Sequence, residues 1–112
     1  MIWQKSRELV KIVYSLTEKL PSEEKFGLTN QMRRASVSIV SNIAEGSGKE
    51  SEKEFLRFIE TAYSSAFELE TQLILAVDLG MLGNESQSAF DLIQEIQKMI
   101  YSFSKSIKEK IK

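Results

Sequence analysis

A chain of 112 residues, 42% apolar and 28% charged, has the composition of one globular domain and excludes a wholly disordered chain. Its 15 Lys and Arg against 16 Asp and Glu leave a net charge of −1, so there is no overall positive field to gather nucleic-acid phosphates. With neither cysteine nor histidine, disulfide scaffolds, thiol nucleophiles, cysteine zinc sites and the commonest general base are removed together.

Five Gly and one Pro leave few places to turn, so the elements must be few and long. The first runs over about 3–20. There Leu9, Val13, Leu16 and Leu20 recur at steps of three and four, Trp3 and Val10 widen the face, and Pro21 closes the segment. Ser22-Glu23-Glu24-Lys25 suits a short helical turn with Ser22 as cap. The second helix, 28–46, carries Leu28, Met32, Ala35, Ile39 and Ile43, and Gly46-Ser47-Gly48 should end it with a left-handed glycine. The third, 51–79, begins with the capping-box pair Ser51 and Glu54. Its stripe is Phe55, Ile59, Ala62, Ala66, Leu69, Leu73 and Ala76, a heptad rhythm that favours shallow crossing angles. The fourth, 85–110, follows Met81-Leu82-Gly83 with Asn84 or Ser86 as cap, and its stripe runs Ala89, Ile93, Ile96, Ile100, Phe103, Ile107 and Ile111.

No segment alternates with period two, so the expected fold is all-α. Short connections make sequential helices antiparallel neighbours, which gives one domain over 1–112, an up-down-up-down four-helix bundle. The alternative is a long helical hairpin whose core a partner chain completes. The N-terminus has no apolar leader, and the longest apolar cluster, Leu73 to Val77, is far short of a membrane span. The expected location is the cytoplasm.

Two helices are apolar beyond a core face. On helix two, Val37, Val40 and Ala44 extend the stripe well past the roughly 100° a surface helix needs. On helix three, Leu56, Tyr63, Phe67 and Ile74 form a second seam. Either these arcs meet another copy of the chain, or the second seam completes a wide core within one chain. Arg33 and Glu70 interrupt the arcs at similar heights. They are expected to pair, within or between chains, unless both reach water. Asn42 and Glu45, in the last turns of helix two, are expected to fix the connection to helix three by hydrogen bonds.

The carboxylates Glu45, Glu60, Glu68, Glu70 and Glu95 lack the histidines of a di-metal bundle, and Gly46-Ser47-Gly48-Lys49 lacks the spacing and preceding strand of a phosphate loop. No catalytic residue, metal, cofactor or small-molecule substrate is expected. Charge is uneven: residues 51–97 hold two basic and nine acidic side chains, residues 98–112 five Lys and one Glu. The lysine-rich end either touches RNA or an acidic partner, or solubilises the last turns and complements the helix dipole.

The run from Gln31 to Gly48, QMRRASVSIVSNIAEGSG, with Pro21, Glu24-Lys25-Phe26-Gly27-Leu28 before it and Glu54 to Glu70 after it, resembles a known signature. It is similar to the four-helix-bundle family of proteins encoded in intervening sequences of 23S ribosomal RNA genes, over nearly the whole chain. The resemblance implies a bacterial cytoplasmic bundle that assembles as a homopentamer and has no established enzymatic activity. A related family, the accessory variability determinants of diversity-generating retroelements, is basic and binds nucleic acid, whereas this chain is slightly acidic. The expected partners are copies of itself, with RNA or another protein as further possibilities and no membrane. Any nucleic-acid contact would fall to Arg33, Arg34, Lys49, Lys105, Lys108, Lys110 and Lys112, repeated around the ring.

Overall fold

A computed structural model describes residues 2–111. Four helices, α1 (Ile2–Thr17), α2 (Leu28–Ser47), α3 (Glu52–Asp78) and α4 (Gln87–Ile111), form an antiparallel up-down-up-down bundle, with short 3₁₀ turns at Ser22–Glu24 and Asn84–Ser86. Each helix packs on two others: α2 on α1 and α3, α4 on α3 and α1. Most of the expected stripes form the core; Leu28 and Phe55 are only partly buried, and Phe103 and Ile111 of the α4 stripe are exposed because they lie towards the end of α4. Leu9, Val13, Met32, Ile39, Ile59, Leu69, Leu73, Ile93, Ile96 and Ile100 are fully enclosed. The chain closes this core by itself, which answers the hairpin alternative.

The ends differ from expectation where local chemistry intervenes. α1 stops at Thr17, three residues early, because the residue before a proline is pushed out of the helical region. A single turn, with Leu20 N donating to Thr17 O at 3.2 Å, still delivers Leu20 to the core. Ser22 lies inside the 3₁₀ turn and caps nothing. Glu24 Oε1 instead accepts from Leu28 N at 3.1 Å and satisfies the start of α2. Ser51 does cap α3, accepting from Glu54 N at 3.0 Å. Ahead of α4 neither Asn84 nor Ser86 accepts a capping bond. Ser86 Oγ donates to Gly83 O at 2.7 Å, and Glu85 Oε1 accepts from Gly83 N at 2.8 Å. Bonds from its own backbone N–H and from that of Gly83 hold the Glu85 carboxyl below its ordinary range.

The glycines exchange their expected roles. Gly48 has φ −88°, so α2 does not end left-handed. The left-handed residue is Gly80, φ 75°, which closes α3 with Met81 N bonded to Ala76 O at 2.9 Å and Gly80 N to Val77 O at 3.0 Å, the Schellman pattern. Gly46 serves close approach. A Cβ there would sit 2.7 Å from Phe58 Cβ and 2.9 Å from Phe55 Cδ1.

Candidate functional site

The outer face of α2 presents Arg33, Val37, Val40 and Ala44 at steps of four and three. Val37 is 39% exposed, Ala44 is exposed and Val40 half-buried. Beside them α1 presents Trp3, Val10 and Tyr14 on one face, at steps of seven and four with Arg7 between the first two. Arg33 ties the two helices together. Its guanidinium lies 4.5 Å from the Tyr14 ring centre, and its Nε donates to Thr17 Oγ1 at 2.8 Å. This is an apolar seam with two cations set in it, Arg33 and, 4.7 Å from the Trp3 ring centre, Arg7.

A second seam lies on the far side of the α2–α3 hairpin. Leu56 and Tyr63 of α3 are half-buried against the core, while Phe67 and Ile74 are 45% and 46% exposed. The seam is therefore divided between the two roles expected for it. Tyr63 and Phe67 meet edge to face at 5.0 Å. Glu70 stands among them and accepts from Gln97 Nε2 at 3.1 Å and from Gln94 Nε2 at 3.5 Å. Tyr101, on α4, adds an exposed ring.

Arg33 and Glu70 do not pair within the chain. Similar height was insufficient, because Arg33 projects from the α1 edge of the hairpin and Glu70 from the α4 edge. Neither simply reaches water: each has neutral partners that hold it in its apolar surroundings.

Asn42 does not reach the α2–α3 turn. Its Nδ2 donates to Ser38 O at 2.8 Å and Ser38 Oγ at 3.1 Å, and Ser38 Oγ shares a 2.9 Å hydrogen bond with Ser65 Oγ of α3. The polar stitch between the helices thus lies more than a turn above the connection. Glu45 is exposed and makes no side-chain hydrogen bond among the described residues; it points to the solvent side of α2. Backbone bonds, Gly48 N to Glu45 O at 3.2 Å and Lys49 N to Gly46 O at 3.0 Å, hold the turn instead. Ser38, Ser65 and Gly46 are small residues, and small residues at helical spacing are the one sequence signal that marks such a close contact. Gln72, also on α3, is 94% enclosed, and its Oε1 has no partner; nothing in the sequence marks it.

The basic residues are dispersed. Arg33 is in the α1–α2 seam. Arg34 lines a hollow with Gln31 and Glu68 between α2 and α3. Lys49 Nζ lies 5.1 Å from the Phe58 ring centre at the α2–α3 turn. Lys105, Lys108 and Lys110 are exposed in the last turns of α4, with Lys108 Nζ 3.6 Å from a Glu60 carboxylate oxygen. Lys112 lies outside the described residues. These side chains do not share one stripe on a single copy.

The open cleft beside the α2–α3 turn, about 520 Å³, brings Lys49 and Arg57 together with Glu54 and Glu60, so its charges balance. Among the described residues no group of three or more acidic side chains is placed to hold a metal, and no helix is long and apolar enough to cross a membrane.

The fold and surface define an all-α bundle that presents two outward apolar seams. The chain belongs to the 23S rRNA-intervening sequence protein family, whose model matches residues 1–102. It is also similar to the crystal structure of a protein of unknown function from the S23 ribosomal protein family of Bacteroides thetaiotaomicron VPI-5482. That similarity has a TM-score of 0.87 at 27% identity, over 94% of this chain and 99% of that one. Among curated proteins none matches.

Proposed function

We propose that the protein is a non-enzymatic, homo-oligomeric interaction module in which the α1–α2 seam of one copy covers the α3–α4 seam of the next. The observation that carries this reading is the pairing of opposites: each seam is apolar, and one has Arg33 where the other has Glu70. Two different patches that complement one another make a heterologous contact, and such contacts form a ring when the rotation between copies closes and an open filament when it does not. Five copies is the closure expected from the family resemblance. Val37, Val40 and Ala44 would then meet Phe67 and Ile74, and the pairing of Arg33 with Glu70 would run between chains. In this reading the ring sits in the bacterial cytoplasm and works by contact with a partner macromolecule.

Sedimentation velocity tests it. Val40→Glu places an unpaired charge in the contact and should yield a folded monomer, with helix content checked by circular dichroism. Arg33→Glu should weaken assembly, and adding Glu70→Arg should restore it. A wild-type monomer at micromolar concentration rejects the module; a dimer or tetramer rejects only the ring of five. RNA is the competing partner, through basic residues repeated around the ring. Binding of structured RNA that falls steeply between two salt concentrations would favour it.

A further inference from the structure

The end of the bundle that carries both 3₁₀ turns has apolar side chains that neither the core nor a seam uses. Phe26, in the loop before α2, is 87% exposed and Leu79, at the end of α3, is 65% exposed. They are the two most exposed large apolar side chains among the described residues. Leu75, one turn before Leu79 on the same side of α3, is 46% exposed. α2 and α3 pack antiparallel, so the start of one lies beside the end of the other and the three residues share one end of the molecule.

Local structure does not require them. Gly80 and Met81 close α3, and Met81 is half-buried against the core, which completes the apolar part of that closure. Leu79 adds nothing to it. A Cβ at Gly80 would meet no atom within 4 Å beyond its chain neighbours, so the space outside the turn is open. The entry to α2 is held by Glu24 and Leu28, and Phe26 lies between them unused.

Charge decides what covers this surface. Residues 18–30 and 75–91, which make this end, carry Glu18, Glu23, Glu24, Asp78, Glu85 and Asp91 against Lys19 and Lys25. Both lysines are already engaged. Lys19 is within Coulombic reach of Glu85, and Lys25 Nζ lies 5.6 Å from the Phe26 ring centre. Among the described residues the ion pairs are Lys5 with Glu95 and Lys108 with Glu60, so none of the six carboxylates at this end is in one. In the next turns of the α2–α3 hairpin, Arg33 and Arg34 balance Glu68 and Glu70. Apolar anchors inside a field of one sign select a ligand of the opposite sign.

We propose that this end is a docking site for a basic, leucine-bearing segment of a partner protein, its apolar side chains on Phe26, Leu75 and Leu79 and its lysines and arginines among the surrounding carboxylates. Nucleic acid has the same sign of charge as this end and is not its occupant. The site stands apart from self-assembly through the seams, to which none of the three apolar residues belongs.

The test uses the full chain and two fluorescein-labelled peptides of about 15 residues, near the length at which an isolated helix is stable. Both carry the same leucines; one has Lys at its polar positions and the other Glu. Fluorescence anisotropy should show the basic peptide binding about tenfold tighter or more. An acidic surface gives some preference by itself, so the deciding variant keeps every charge: Phe26→Ser with Leu79→Ser should weaken the basic peptide about tenfold. Asp78→Asn with Glu23→Gln keeps the apolar residues and should weaken it about threefold, with a smaller dependence on salt. All four positions are exposed, and circular dichroism verifies folding of each variant. Val40→Glu, aimed at the seams, should bind the basic peptide like wild type, which separates failure of the ring from failure of this site. Equal binding of the two peptides, or either double variant binding like wild type, overturns the proposal. Loss of binding in Val40→Glu overturns it too, because the peptide would then sit on a seam. So does a change in sedimentation coefficient in Phe26→Ser with Leu79→Ser without peptide, because a second copy would then occupy this end.

Discussion

Between α2 and α3 small and partly polar residues allow a close contact, Ala35, Ser38 and Gly46 on one helix and Ala62, Ser65 and Ala66 on the other, with Gly46 set against Phe55 and Phe58. Between α1 and α4 the buried side chains are mostly larger and aliphatic, Leu9 and Val13 on one helix and Leu92, Ile93 and Ile96 on the other, with one exterior ion pair, Lys5 to Glu95. The first contact brings two backbones together and leaves no room for added atoms. The second spaces two helices apart by side-chain volume and is vulnerable to atoms removed. The stiff hairpin α2–α3 thereby becomes the frame on which both apolar seams are displayed, one at each edge.

The largest effect is expected from emptying the second contact. Leu9 is fully enclosed, so Leu9→Ala removes buried methyl groups and leaves a cavity, at a cost of about 3 kcal/mol. Urea denaturation with an unchanged slope measures it. A loss below about 1 kcal/mol would mean that α1 collapses onto α4 after all, and that the spacing is not set by volume.

Next comes crowding of the first contact. In most helices Gly→Ala gains up to about 1 kcal/mol of helix propensity. At Gly46 the new methyl would lie 2.7 Å from Phe58 Cβ, an atom fixed to its backbone, so α2 and α3 must part. We expect a net loss of about 1–2 kcal/mol in Gly46→Ala, seen as a lower Tm. A rise in Tm would break the distinction between the two contacts.

These residues also mark where the sequence is legible. Most of each helical stripe is legible from spacing alone, because a buried face must recur every 3.6 residues whatever its partner, but spacing does not show that Phe103 and Ile111 lie exposed. In the sequence Gly46 reads as a helix stop, since glycine serves both chain reversal and close approach, and spacing does not separate the two uses. The sequence offers no means of choosing whether Arg33 and Glu70 pair within one chain: periodicity gives the angle around one helix, and only packing gives the angle between helices, which here turns Arg33 to Thr17 and Glu70 to Gln97.

A smaller effect follows from the polar stitch. Asn42→Ala removes the bonds to Ser38 O and Ser38 Oγ and loosens the Ser38–Ser65 link between the helices. A loss of about 1 kcal/mol is expected, read from the denaturation midpoint. An unchanged midpoint would show that shape alone holds α2 to α3.

The smallest effect is electrostatic and tests the α1–α4 side. The hydrogen bond and charge of Glu95 raise the Lys5 pKa above its ordinary 10.5. A group whose pKa is higher folded than unfolded contributes its stabilisation in full below the unfolded value. It loses that contribution as pH rises through the folded one. Lys5→Met should therefore be slightly less stable than wild type at neutral pH, and the gap should close above about pH 10.5. Added salt at neutral pH should narrow it too, because the pair is exposed to solvent. Paired urea titrations at pH 7 and pH 11 compare the two proteins directly. A gap that stays constant with pH and salt would place the contribution of Lys5 in the packing of its aliphatic stem. The α1–α4 contact would then rest on side-chain volume alone.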